Sequence, residues 1–134
     1  MEKTKHLDAR GKGEFIYDFK YDILTFRIKD RDYRTSIELQ NFTIDIDKEG
    51  FATGLRVFDA SKVFNLDKYI LNNVKAGDFK SIIEDNVVTV TINFVGKLRN
   101  KPLTKDFAQQ ITTQLNSGEH LANSVVESPM AVMA

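Results

Sequence analysis

Cysteine and tryptophan are absent from the 134 residues, and there are only two prolines and two histidines. Without cysteine there is no disulfide, no thiolate metal ligand and no cysteine nucleophile. No apolar run approaches the roughly 20 residues of a membrane-spanning helix, so no membrane association is expected. The opening stretch, MEKTKHLDARGKGEF, is charged and lacks the apolar core of a secretion signal, which points to the cytoplasm. A charge excess is missing too, because 19 Lys and Arg balance 19 Asp and Glu. Nucleic-acid binders usually carry a basic excess, so nucleic acid is not the expected partner. The sequence has no Gly-x-Ser-x-Gly elbow and no Gly-x-x-x-x-Gly-Lys phosphate loop. His6 and His120 fall in or near expected tails. No catalytic constellation and no cofactor are predicted.

The chain is 42% hydrophobic and 28% charged, the composition of one folded domain. Residues 1–13 read as a flexible polar arm. Alternation then begins. Phe15, Tyr17 and Phe19 share one face of a strand, and Leu24, Phe26 and Ile28 share one face of the next. Ile37 and Leu39 are out of phase with Phe42, Ile44 and Ile46. A bulge near Gln40 and Asn41, or a tight turn between two shorter strands, would restore the phase. Phe51, Thr53, Leu55 and Val57 line a further strand. Val63, Leu66, Ile70 and Val74 then follow helical spacing, with Asp59 or Ser61 as the cap and Asp67 capping a second turn after a break near Asn65.

Val88, Val90, Ile92, Phe94 and Leu98 mark the clearest strand. It pairs with Phe79 to Glu84 through a turn at Asp85-Asn86, residues that tolerate positive φ. Beyond Pro102, Phe107, Ile111 and Leu115 recur every four residues and predict a C-terminal helix begun by Thr104. The last stretch, LANSVVESPMAVMA, is either a loose tail or a segment that docks on a partner. The expected fold is therefore α+β: a mostly antiparallel sheet of about six strands, one helix after strand four and a C-terminal helix. The expected boundaries are an arm over 1–13, a β-rich domain over 14–101, and a helix with tail over 102–134.

DIDKEGFATG, residues 45–54, begins like a calcium-binding EF-hand loop, with Asp45, Asp47 and Glu49 at positions one, three and five and Gly50 at six. The twelfth position should be a bidentate glutamate and is Arg56. Strands, not helices, flank it. A hairpin turn is the preferred assignment, and Asp45, Asp47 and Glu49 are kept only as minority metal candidates. Lys97, Arg99 and Lys101 form a basic run at a strand end, suited to an acidic surface or to discouraging edge pairing.

The segment from Phe15 to Lys62 resembles DUF2283, a family of small proteins of unknown function. The residues that carry the resemblance are Tyr17-Asp18, Asp22, Leu24, Phe26, Ser36, Glu38, DIDKEG, Gly54 and Asp59-Ala60-Ser61. The chain beyond Lys62 resembles the extension of longer archaeal-type relatives. The resemblance implies a compact β-rich module and adds weight to protein binding; it implies no catalytic residue. The expected function is a non-enzymatic protein-interaction or assembly module that binds a protein or self-associates. The long strand Val87 to Arg99 is the edge that a partner would extend. The expected contact residues are Lys97, Arg99, Lys101, Phe107, Ile111 and Leu115. The alternatives are a small ligand- or metal-binding protein or enzyme using the clustered acids, and a weak RNA-associated factor using Lys97 to Lys101.

Overall fold

The computed structural model describes residues 3–98, 101–115 and 121–129, and of residues 75, 97, 98 and 101–109 the backbone only. In chain order the elements are β1 (Lys5–Asp8), β2 (Gly13–Asp18), β3 (Ile23–Ile28), β4 (Tyr33–Glu38), β5 (Phe42–Asp47) and β6 (Ala52–Phe58). Two short helices come next, α1 (Ala60–Val63) and α2 (Lys68–Leu71). Then come β7 (Val74–Glu84), β8 (Val87–Leu98), β9 (Lys101–Gln114) and β10 (Ser124–Ser128). The strands form two five-stranded sheets, in the orders β1-β10-β7-β8-β9 and β2-β3-β6-β5-β4. We call them sheet A and sheet B.

Sheet B is antiparallel throughout, and one row of cross-strand neighbours explains its packing. Ile37, Ile44, Leu55, Phe26 and Phe15 stand side by side across β4, β5, β6, β3 and β2. In a strand alternate side chains share a face, so this register turns the whole apolar row to one side. Sheet A answers with Leu7, Val126, Ser81, Val90 and Ile111 across β1, β10, β7, β8 and β9. The two faces meet as a sandwich. Phe26 of β3 stacks on Phe79 of β7 at 4.4 Å between ring centroids, and Phe15 of β2 tilts against Phe94 of β8 at 6.1 Å. Ser81, the one polar residue in that row, donates its hydroxyl to the carbonyl of Ala52 in the opposite sheet at 2.7 Å. A buried hydroxyl is thereby satisfied where an unpaired one would cost about 1–3 kcal/mol.

This corrects the expected α+β fold in four places. The N-terminal arm contains a strand, β1, which pairs in parallel with β10. The single helix after strand four is instead two turns after β6, divided at Asn65, whose φ is 53°. The predicted break is therefore present, and Asp67 caps α2 by accepting from the Tyr69 N–H at 2.8 Å. Asp59 lies in the left-handed region and makes no side-chain cap bond. The C-terminal helix over Phe107, Ile111 and Leu115 is the strand β9. A spacing of four fits a helix loosely, but it is also twice the strand period of two, and Ile111-Thr112-Thr113 is β-branched, which favours the strand. Finally, residues 124–128 of the apolar tail fill the gap between β1 and β7 as β10.

Two local predictions agree with the structure. The phase shift near Gln40 is a turn between β4 and β5, closed by the Leu39 N–H on the carbonyl of Phe42 at 2.7 Å. Asp85 and Asn86, at φ 50° and 64°, join β7 to β8. Positive φ at both central residues matches the twist of a two-residue hairpin.

Candidate functional site

The three acids of DIDKEG do not converge on one point. Asp47 is 2% exposed, and its Oδ1 accepts the N–H groups of Glu49 and Phe51 at 2.9 and 3.0 Å. Its Oδ2 accepts from Arg31 Nε at 2.8 Å, and the same guanidinium donates through Nη2 to Glu49 at 2.9 Å. Gly50, at φ 86°, completes the turn. Burial works against the Arg31 charge, but the bonds to Glu49 and Asp47 outweigh it and raise its pKa. Asp45 lies on the outer face of sheet B. There Arg56 Nη2 and the Ser36 hydroxyl both donate to its Oδ1, at 2.9 and 2.7 Å. The cation at the twelfth loop position thus folds back onto the first acid. Among the described residues no three metal-ligating side chains gather into a group.

Asp22 holds a second polar knot, 7% exposed. Its Oδ1 accepts from the Tyr17 hydroxyl at 2.6 Å and from the Ser61 N–H at 3.0 Å. Its Oδ2 accepts the Ser61 hydroxyl at 2.6 Å. Burial pushes the carboxyl pKa up, yet the bonds from Ser61 and Tyr17 and the charge of Lys68 prevail, and the net shift is downward. Burial and the bond to this carboxylate drive the Tyr17 phenol well above its ordinary range. Tyr17, Asp22 and Ser61 are hydroxyl, carboxylate and hydroxyl, and both hydroxyls donate to the one carboxylate. Their geometry pins the β2–β3 hairpin to the start of α1.

The expected contact residues are scattered along sheet A. Lys97 and Lys101 stand opposite Pro102 and Leu98 beside the β8–β9 turn, and Arg99 lies outside the described residues. Phe107 holds the position opposite Phe94. Ile111 and Leu115 are buried, at 6% and 7% exposure. The strand Val87 to Arg99, expected to offer an edge, is interior as β8, since β9 covers it.

Sequence reasoning missed a different cluster. Phe19 and Tyr21 in the β2–β3 turn, and Tyr69 in α2, are 42%, 64% and 62% exposed. The rings of Phe19 and Tyr69 lie 5.6 Å apart. Lys68 Nζ sits 5.4 Å from the Phe19 ring, and Lys20 Nζ sits 5.2 Å from the Tyr21 ring. Two carboxylates hold the backbone under these rings: Asp18 accepts the Tyr21 N–H at 3.0 Å, and Asp67 accepts the Tyr69 N–H at 2.8 Å. The only sequence signal was the pairing of aromatics with lysine in Phe19-Lys20-Tyr21 and Lys68-Tyr69, at two places far apart in the chain.

Known proteins are similar to this chain in sequence. The chain is 29% identical over 92 residues to a Methanosarcina mazei protein named "Putative hypoxanthine phosphoribosyltransferase", covering 69% of this chain and 75% of that one. It is 29% identical over 96 residues to an uncharacterised protein of Methanocaldococcus jannaschii, covering 71% and 83%. No solved structure gives a significant match. Residues 14–61, which build sheet B and enter α1, match the family DUF2283, described as a protein of unknown function.

Proposed function

We propose that the chain is a non-enzymatic protein-interaction module that engages its partner through Phe19, Tyr21 and Tyr69. The observation that carries this reading is the exposure of Phe19 and Tyr69, whose rings lie 5.6 Å apart, and of Tyr21 two positions after Phe19, on hydrogen-bonded turns. Large aromatics lose hydration cost when covered, and rings already held in place give up little entropy on binding. Tyrosine is also among the residues enriched where binding energy concentrates. Lys20 and Lys68 beside the rings suit a partner whose apolar side chains are flanked by carboxylates.

The test uses the full chain as bait, with and without the double substitution Tyr21→Ser and Tyr69→Ser. The variant is expected to lose its specific partner while its melting temperature stays within about 5 °C, because exposed substitutions shift stability by about 0.5 kcal/mol or less each. A capture profile identical to that of the unaltered chain overturns the reading. A second reading rests on the name of the Methanosarcina mazei relative, which raises phosphoribosyl transfer to a purine base. Product formation from hypoxanthine and a phosphoribosyl donor would favour it over the interaction module.

A further inference from the structure

Four strands edge the two sheets: β1 and β9 in sheet A, β2 and β4 in sheet B. An edge strand offers its N–H and C=O groups to any other chain, and proteins blunt such edges with shortness, charge, proline or bulges. Three of the four are blunted. Strand β1 has 4 residues, of which Lys5, His6 and Asp8 are titratable. Strand β2 has 6 residues and carries Glu14 and Asp18. Strand β4 has 6 residues, carries Arg34 and Glu38, and shifts register between Tyr33 and Thr35.

Strand β9 is different. It runs for 14 residues. Its first half holds Lys101, Pro102, Lys105 and Asp106, whereas residues 107–114 contain no charge, no proline and no glycine. Among the described residues β8 flanks it on one side and no strand on the other. The segment 107–115, FAQQITTQL, is also close to a palindrome in polarity about Ile111. Phe107 and Leu115 lie four positions away on either side, and Gln109 mirrors Thr113 while Gln110 mirrors Thr112.

We infer that β9 pairs antiparallel with β9 of a second copy of this chain, about a two-fold axis through Ile111 and normal to the sheet. Directly opposed residues of an antiparallel pair share a face, so that axis keeps inward positions inward. Phe107 then stands opposite Leu115 of the second copy, and Ile111 opposite its own equivalent. Gln109 meets Thr113, Gln110 meets Thr112, and Ala108 meets Gln114. No charge in this register faces a like charge. Ile111 and Leu115, already turned into the sandwich, carry its core across the axis. Sheet A becomes one continuous sheet spanning both copies.

Sedimentation equilibrium of the full chain tests this. The expected mass is twice the 15.3 kDa of one chain. Thr112 is exposed on the outer face, and Thr112→Lys sets two ammonium groups diagonally across the axis, where like charges oppose pairing. That variant is expected to sediment as a single chain with an unchanged circular dichroism spectrum. Gln114→Lys, also exposed, is expected to weaken association in the same direction and serves if Thr112→Lys fails to fold. A single-chain mass for the unaltered protein at every concentration overturns the inference. So does a dimer that withstands both lysines, or an edge that pairs only with an added foreign peptide. Tyr21→Ser with Tyr69→Ser is expected to leave the mass unchanged, so this result and the patch reading fail separately.

Discussion

The hydroxyl of Ser61 donates to Asp22 Oδ2 at 2.6 Å across 39 positions of sequence. The same carboxylate takes the Ser61 N–H and the Tyr17 hydroxyl, and the Asp22 carbonyl takes the Ala60 N–H at 3.0 Å. One aspartate thus closes a hairpin, at a positive φ of 59°, and fixes where the chain leaves sheet B. Ser61→Ala removes a hydrogen bond to a charged, buried acceptor. Such bonds are worth about 1.5–3 kcal/mol, so a loss of that size is expected in urea denaturation. A change below about 0.5 kcal/mol would show that water replaces the hydroxyl at no cost.

Asp22 and Tyr17, two of the three shifted groups, each make stability depend on pH. The Asp22 pKa is lowered by folding. Its contribution to stability is therefore present above the unfolded carboxylate value near 4 and is lost as pH falls through the lower folded value. Asp22→Asn is expected to be less stable at neutral pH and to show a flatter acid limb. The Tyr17 phenol is raised. Its contribution is present below the unfolded value near 10 and is lost as pH rises beyond it. Tyr17→Phe is expected to flatten the alkaline limb. Parallel pH–stability curves for all three proteins would refute both assignments.

Asp47 gives a sharper test of the loop that resembles a calcium site. Its carboxylate is committed to two backbone N–H groups and to Arg31. Asp47→Ala leaves the Arg31 guanidinium, 19% exposed, with Glu49 as its remaining carboxylate and frees the N–H groups of Glu49 and Phe51, with an expected loss of about 1.5–3 kcal/mol. Millimolar calcium is expected to leave the melting temperature of the unaltered chain where it was. A calcium-dependent rise that vanishes in Asp47→Ala would reverse this view of the loop.

The hairpins of this fold are legible in the sequence because their signals are local. Leu24, Phe26 and Ile28 alternate, as do Val88, Val90 and Ile92, and Asp85-Asn86 supplies the turn between two such runs. Strand β1 is not legible. Lys5-His6-Leu7-Asp8 has one apolar residue, and its partner β10 lies at the far end of the sequence. Strand β9 reads as a helix because Phe107, Ile111 and Leu115 satisfy helix and strand spacing together. The acids are legible as turn-formers, since Asp47 and Gly50 act within five residues. The aromatic patch is not, because Phe19 and Lys68 meet across 49 positions.

The DUF2283 match ends in α1, just after the last strand of sheet B. Sheet A is drawn from both flanks, β1 before the matched segment and β7 to β10 after it. A five-stranded sheet with one apolar face needs a cover, and here the chain provides its own. The matched segment holds locks of sheet B: Asp22 with Ser61, Asp47 with its turn, and Gly54 beside Asp45. A Cβ at Gly54 would lie 3.1 Å from the Asp45 side chain. Two of the three exposed rings of the patch, Phe19 and Tyr21, lie in the same matched segment, whereas Tyr69 lies beyond it.

The two sheets approach each other closely at Gly77. This residue of β7 faces the Phe15 ring of β2, and an added Cβ would clash with that ring and lie 2.8 Å from the carbonyl oxygen of Asn93. The backbone contact cannot rotate away as a side chain could. Phe15 is held between Phe26 and Phe94, so its ring has little room to retreat. Overpacking of this kind costs about 1–3 kcal/mol. Gly77→Ala is expected to lower the urea midpoint accordingly, and Phe15→Leu in the same chain is expected to restore part of the loss by freeing space at the ring. If the two changes are additive in a double-mutant cycle, Phe15 does not set the limit at Gly77, and the close approach of β2 to β7 is not what makes glycine necessary there.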